Sequence, residues 1–117
     1  IKIAAENVRL SMDEGIACGL ILNELISNAF KYAFPDGRKG SIEIKAVKDA
    51  TSSVRLTVKD DGVGFPDDFN LEAPGTGTLG LKIVSLLAKT QLGGRLNFSN
   101  ENGACIEIQW IVDSIGE

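Results

Sequence analysis

Several stretches of this chain alternate apolar and polar residues, and in each the apolar residues lie on a single face. Ile42, Ile44 and Ala46 alternate with Glu43, Lys45 and Val47, and Val54, Leu56 and Val58 alternate with Arg55, Thr57 and Lys59. Leu96 and Phe98, then Ala104, Ile106, Ile108 and Trp110, repeat the pattern further on. Period-two alternation marks a half-buried strand. A strand with one apolar face needs cover on one side only, which favours a mostly antiparallel sheet with helices on one face and solvent on the other. The short polar stretch Asp49 to Ser53 suits an antiparallel hairpin between the first pair of strands. Asn100, Glu101, Asn102 and Gly103 supply a second turn. Ile1, Ile3, Val8, Leu10 and Met12 also alternate, which predicts short half-buried strands at the start.

The cover comes from two stretches of helical period. Leu20 to Phe34 reads LILNELISNAFKYAF, and at about 100° per residue Leu22, Leu25, Ile26, Ala29, Phe30 and Ala33 share one broad apolar arc. Glu24, Asn28, Lys31 and Tyr32 share another. Asn costs up to ~0.7 kcal/mol relative to Ala in a helix, so propensity does not explain Asn28. Its amide carbonyl is an oxygen ligand of the kind Mg²⁺ takes, and an ammonium one turn along suits a phosphate; a plain solvated face would look similar. Asp13, Glu14 and Gly15 lead into this helix, with acids near its N-terminus where the dipole favours them. Pro35, Asp36 and Gly37 end it. Leu79 to Leu92 is apolar nearly all round apart from Lys82, Ser85 and Lys89, which predicts a largely buried helix, stopped by Gly93 and Gly94. The expected architecture is an α/β two-layer sandwich: a mixed, mostly antiparallel sheet with helices on one face.

With 117 residues the chain is expected to be a single domain, residues 1–117, and its 44% hydrophobic content suffices for a core. It opens on Ile1 rather than Met, which suggests a fragment of a longer protein. A net charge of −4 without Lys/Arg runs argues against a nucleic-acid surface. No apolar run approaches the ~20 residues needed to span a bilayer, and no signal-peptide pattern opens the chain, so no membrane contact is expected. Cys18 and Cys105 stand in apolar surroundings, as buried reduced thiols do, and the chain reads as cytoplasmic. It contains no histidine, which excludes Ser–His and Cys–His nucleophile pairs and His-based metal sites.

Between these elements lie segments that could carry chemistry. Asp60 to Gly64 reads DDGVG after a strand. That is a common turn, yet Gly62 and Gly64 would let a flat group approach the backbone, and an acid beside them could accept from an exocyclic amine. From Pro66 to Thr78 no periodicity appears, and a loop of this length inside a compact domain is often functional. Gly75, Gly77 and Gly80 satisfy G-x-G-x-x-G, but no strand leads directly into them and no parallel βαβ unit follows, so a Rossmann reading fails. Backbone N–H groups at a glycine-rich helix start can still hold phosphate; a flexible connector is the plainer alternative.

NELISNAFKY, DDGVGF and GTGTLGLKIV, in this order, resemble the ATP-binding domain of sensor histidine kinases, within the superfamily shared with type II topoisomerases, Hsp90 chaperones and MutL-type repair proteins. The resemblance extends over nearly the whole chain to QLGGRLNFSNENGACIEIQW, and is nearest to the short-lid bacterial and archaeal kinases. It implies that Asn28 coordinates the Mg²⁺ that bridges the triphosphate of ATP, and that Glu24 stands where related ATPases keep the base that activates water. It further implies that Lys31 contacts phosphate and that Tyr32 lies near the sugar or base. Asp60 would accept from the adenine amino group, Gly62 and Gly64 would shape that pocket, and Phe65 would pack nearby. Gly77, Thr78, Leu79 and Gly80 would belong to the lid and the phosphate-holding helix start.

The resemblance also implies partners. The γ-phosphoryl would go to a histidine on a separate dimerisation domain, then to a response-regulator aspartate. An ATP-driven clamp, or a switch protein that phosphorylates a serine, are the alternatives within the superfamily. The chain departs from the family pattern twice. Gly103-Ala104 replaces the usual Gly-Thr before the last strand, so the hydrogen bond from that hydroxyl must come from water or be absent. The phenylalanine box of the lid is not evident, with Phe69 its only candidate.

Overall fold

The computed structural model describes residues 2–6, 8–33, 39–49, 51–65, 79–100 and 102–112. The order is β1 (Lys2–Glu6), α1 (Met12–Asn28), a π-helical turn (Ala29–Ala33), β2 (Ile42–Lys48), β3 (Ser53–Asp60), α2 (Leu79–Thr90), β4 (Arg95–Asn100) and β5 (Ala104–Ile111). They form one five-stranded sheet in the order β1-β2-β3-β5-β4. β1 runs parallel to β2 across the α1 crossover, and the other neighbours are antiparallel. This is the mixed, mostly antiparallel sheet expected from the one-faced strands.

Register turns that alternation into a core. Ile44 faces Val58, Val58 faces Ile106 and Ile106 faces Phe98, so one apolar row crosses β2, β3, β5 and β4. Ala46, Leu56, Ile108 and Leu96 make the next. Ala17, Cys18, Ile21, Leu25 and Ala29, with Leu81, Val84 and Ala88 of α2, join the same buried cluster. Each fully buried Ile, Leu or Val contributes roughly 1.5–3 kcal/mol, so these rows supply most of the drive to fold. The opposite face carries Glu43, Lys45, Arg55, Lys59 and Glu107 around a shallow depression of about 250 Å³. Arg55 and Glu107 pair there at 3.6 Å, and the register sets Glu43 opposite Lys59. Alternating charge of this kind keeps a sheet face in water.

The start of the chain differs from the expected strands. Only Lys2–Glu6 is a strand, and Met12, expected in a second one, opens α1 and is 81% exposed. A capping box decides the matter. The Ser11 hydroxyl accepts from the Glu14 N–H at 3.2 Å, and Glu14 Oε1 accepts from the Ser11 N–H at 2.9 Å. Two orphan donors of the helix end are satisfied reciprocally, and this outweighs a weak alternation. Val8 and Leu10 still pack on the core without forming a strand.

Glu14 also ties the layers together. It is 5% exposed, and its Oε2 accepts from the Trp110 indole N–H at 3.0 Å. The first turn of α1 is thereby fixed to the last part of β5. Near it, burial and then the Glu14 charge push the Cys18 thiol up to about 11; Cys18 and Cys105 are both buried and not joined by a disulfide.

The helices are also less covered than their apolar content implies. Phe30 is 61% exposed, because the buried row is Ile21, Leu25 and Ala29, and Leu22, Ile26 and Phe30 form the adjacent row whose burial fades along the helix. On α2, Leu79, Ile83 and Leu86 stand 75%, 38% and 60% exposed, since a two-layer sandwich leaves the outer face of its helices bare. Gly93, at φ +63°, ends α2, and the Gly94 N–H reaches back to the Ala88 carbonyl at 2.8 Å. Among the described residues no helix is long and apolar enough to cross a membrane. The expected stop at Pro35, Asp36 and Gly37 lies outside the described residues.

Candidate functional site

The Glu14–Trp110 bond orients α1 and thereby locates its polar face. With its first turn at the end of β5 and its chain returning to the start of the parallel β2, α1 runs toward the opposite end of the strands. There β2 begins, β3 ends at Asp60, β4 ends at Asn100 and β5 starts at Ala104. Glu24, Asn28 and Asp60 therefore share one end of the sandwich.

α2 meets α1 at this end. A Cβ added to Gly80 would overlap Glu24 Oε2 and lie 3.4 Å from its carboxyl carbon and 3.5 Å from Asn28 Nδ2. The start of α2 thus rests on the pair that sequence spacing placed one turn apart. Asn28 Nδ2 is fully buried and makes no hydrogen bond. An orphaned buried amide costs about 1–3 kcal/mol and calls for a partner that the protein itself does not supply. A half-turn of the amide exchanges nitrogen and oxygen, so the same position can present a carbonyl to a cation. Asn28 is the last α-helical residue, and the π turn that follows carries Lys31 outward into solvent; Tyr32 shares that turn. Short π segments often mark functional sites.

At the end of the central strand β3 Asp60 is buried, and its Oδ1 accepts from the Gly62 N–H at 2.9 Å and the Ala104 N–H at 3.1 Å. Both bonds end on one oxygen, which leaves Oδ2 able to take a ligand donor. The Ala104 bond comes from the main chain, so loss of a threonine at that position leaves this anchor intact. Gly103, at φ +140°, is obligatory beside it, since a Cβ there would overlap the Asp60 carbonyl oxygen.

The DDGVG loop is held at both ends. Asp61 Oδ1 accepts from the Ser41 N–H at 2.8 Å, and the Asp61 N–H donates to the Ser41 carbonyl at 3.3 Å. Asn100 clasps the main chain of Phe65: Oδ1 accepts from its N–H at 2.8 Å and Nδ2 donates to its carbonyl at 2.9 Å. Gly64, at φ +79°, makes this clasp possible, because a Cβ would come within 2.7 Å of Asn100 Oδ1. Phe65 then packs edge-on against Phe98, with ring centroids 5.3 Å apart.

The structure thus brings together Glu24, Asn28 and Gly80 at one junction, next to the exposed Leu79, with Asp60, Gly62, Gly64 and Phe65 at the same end of the sandwich. Gly77, Thr78, Gly75 and Phe69 lie outside the described residues. Sequence reasoning missed Ser41 and Asn100, which hold the loop. Asn100 carried no signal beyond turn composition, and Ser41 none. No group of three or more Cys, Asp or Glu converges as a metal site among the described residues.

Known proteins resemble this chain in sequence and in fold. The sequence pattern of the "Histidine kinase-, DNA gyrase B-, and HSP90-like ATPase" family fits residues 14–114. The chain is 32% identical over 97 residues to Blue-light-activated histidine kinase 2 of Erythrobacter litoralis, covering 83% of this chain and 27% of that protein. It is 38% identical over 88 residues to the sensor histidine kinase PdtaS of Mycobacterium tuberculosis, covering 74% of this chain and 17% of that one. Among solved structures, the histidine kinase domain of the Erythrobacter litoralis EL346 blue-light activated histidine kinase superposes with a TM-score of 0.80 at 30% identity, covering 93% of this chain and 52% of that one. The chain therefore spans only about a quarter or less of the curated relatives it matches. By this match over residues 14–114, the chain belongs to the family of histidine kinase-, DNA gyrase B- and HSP90-like ATPases.

Proposed function

We propose that this domain binds Mg-ATP and donates the γ-phosphoryl to a histidine on a separate dimerisation domain, as the catalytic part of a sensor histidine kinase in the cytoplasm. The response-regulator aspartate would be the final acceptor. The observation that carries the reading is the junction of α1 and α2, where Glu24 and the unpartnered Asn28 amide meet the start of a helix at the same end as Asp60. A bound cation there would neutralise triphosphate charge. Asn28 suits it as an oxygen donor, and Mg²⁺ commonly takes only one or two protein ligands and completes its shell with phosphate and water. Lys31, exposed one turn on, adds a point charge toward phosphate, and by the family resemblance Tyr32 would serve the sugar or base. Gly77, Thr78, Leu79 and Gly80 would belong to the lid and the phosphate-holding helix start.

Asp60 Oδ2 accepts from the adenine amino group, and Gly62, Gly64 and Phe65 form the wall held by Asn100. Transfer forms a bond from γ-phosphorus to an imidazole nitrogen as its bond to the bridging oxygen breaks and ADP leaves. Glu24 orients the incoming imidazole and takes up its proton. Most of the catalytic effect is positioning and charge neutralisation, as for phosphoryl transfer generally.

The chain contains no histidine, so it has no acceptor of its own. Incubated with labelled ATP it should gain no acid-labile phosphate. Mixed with the histidine-bearing domain of its parent it should label that domain slowly, because the tether that raises effective concentration is gone. Glu24→Gln should cut this transfer far more than it cuts ATP affinity. Steady phosphate release with the partner domain never labelled would refute the kinase reading and favour an ATP-driven clamp.

A further inference from the structure

We propose that Gly80 is a positioning residue for Glu24: its missing side chain is the seat of the Glu24 carboxylate, and this seat sets where the carboxylate acts. The inference rests on the reading of Glu24 as the group that handles the incoming imidazole. Gly80 lies within α2, and its φ is not in the left-handed region. Backbone conformation therefore does not demand glycine, and helix propensity argues against it. The demand is steric. A methyl at position 80 would overlap Glu24 Oε2, whereas its distance to Asn28 Nδ2 would be an ordinary 3.5 Å. By contrast, a methyl on Gly15 or Gly19 of α1 would meet nothing within 4 Å.

What a methyl would displace is the tip of a flexible side chain, not backbone or core. The fold should survive and the carboxylate should move. A displacement of about 1 Å at a catalytic group can cost on the order of 100-fold in rate.

The test is a double-mutant cycle on phosphoryl transfer, with this chain and the parent's histidine-bearing domain in saturating Mg-ATP. Gly80→Ala should slow transfer by roughly 100-fold. In a Glu24→Gln background the same substitution should cost no more than about twofold, because the group it displaces is already disabled. Equal losses in the two backgrounds would show that Gly80 acts elsewhere, on the nucleotide for example, and would overturn the inference while leaving Glu24's role intact. A Gly80→Ala chain that transfers at the parent rate overturns it as well. Glu24→Gln at the parent rate would instead refute the role of Glu24 itself. Melting temperatures guard against a folding defect: any loss caused by Gly80→Ala should be recovered by adding Glu24→Ala, which removes the overlapping atoms. A loss that this second substitution does not recover counts against the seat.

Discussion

Replacing Asp60 by Asn or by Ala separates what the carboxylate does for the fold from what it does for a ligand. In the native chain Oδ1 accepts from the N–H groups of Gly62 and Ala104, and Oδ2 remains for an outside donor. Asn keeps the Oδ1 acceptor and turns Oδ2 into an NH₂, so the internal bonds persist while the ligand meets a donor instead of a charged acceptor. A hydrogen bond to a charged group is worth about 1.5–3 kcal/mol, which predicts ATP binding weakened roughly 10- to 150-fold. The melting temperature should barely change. Ala removes both internal bonds and leaves the buried Ala104 N–H without a partner, which adds about 1–3 kcal/mol of destabilisation. At on the order of 5 °C per kcal/mol for a domain near this size, that loss is easily measured. GTP gives the sign test. Guanine presents a carbonyl where adenine has its amine, so the native carboxylate repels it and the Asn amide does not. Calorimetric titration with non-hydrolysable ATP and GTP analogues, alongside thermal unfolding, reads all of this. If Asp60→Asn leaves ATP affinity unchanged, or lowers the melting temperature as much as Asp60→Ala does, Asp60 is a structural turn residue and the adenine assignment fails.

Asn28→Ala should weaken Mg-ATP binding and reduce its Mg²⁺ dependence without lowering stability, since the Nδ2 it removes has no partner to lose; equal Mg²⁺ dependence in variant and parent, by titration with and without the ion, would refute the metal role. Cys18 supplies a pH dependence. Its thiol is raised from 9.0 to about 11 by burial and then by Glu14, so between these values the unfolded chain releases a proton that the folded chain keeps. Stability should therefore fall as pH rises from 9.0 toward 11, and Cys18→Ala should flatten the fall in denaturant titrations across that window.

The sheet was legible because its information is local. Alternation in Ile42 to Val47, Val54 to Lys59 and Ala104 to Trp110 specifies which face is buried, and the antiparallel register then aligns the rows. The first helix was half legible. Spacing shows its polar face, but an alternation ending at Met12 hides its start, which the Ser11 and Glu14 caps set. The exposure of Leu79, Ile83 and Leu86 was not legible, since an apolar period shows which faces are apolar and not how many layers cover them. The clasps of Asn100 on Phe65 and of Asp61 on Ser41 span 35 and 20 residues, and single polar residues in turns give no hint of such distant partners.

These clasps divide the site into unlike halves. On the sheet side, Asp60, Gly62, Gly64 and Phe65 are held by hydrogen bonds that largely end on backbone groups of neighbouring segments, and Gly64 and Gly103 adopt positive φ angles to allow it. Such a wall has little freedom to adapt, which suits recognition of a flat base. At the helix junction the relevant groups are side-chain tips: Glu24 against Gly80, Asn28 with an unfilled amide, and Lys31 out in solvent. These can move by an ångström without disturbing the core, and phosphoryl transfer requires charge to be redistributed as a bond breaks and another forms. Substitutions on the sheet side should therefore change which base is bound, whereas those at the helix junction should change how the triphosphate and its metal are held, as at Asn28, or how fast the phosphoryl moves, as at Glu24. Asp61 pins Ser41 at the entry to β2, so Ser41→Pro, which removes the donor N–H, should loosen the sheet-side wall and change nucleotide preference with little effect on a Glu24-dependent rate.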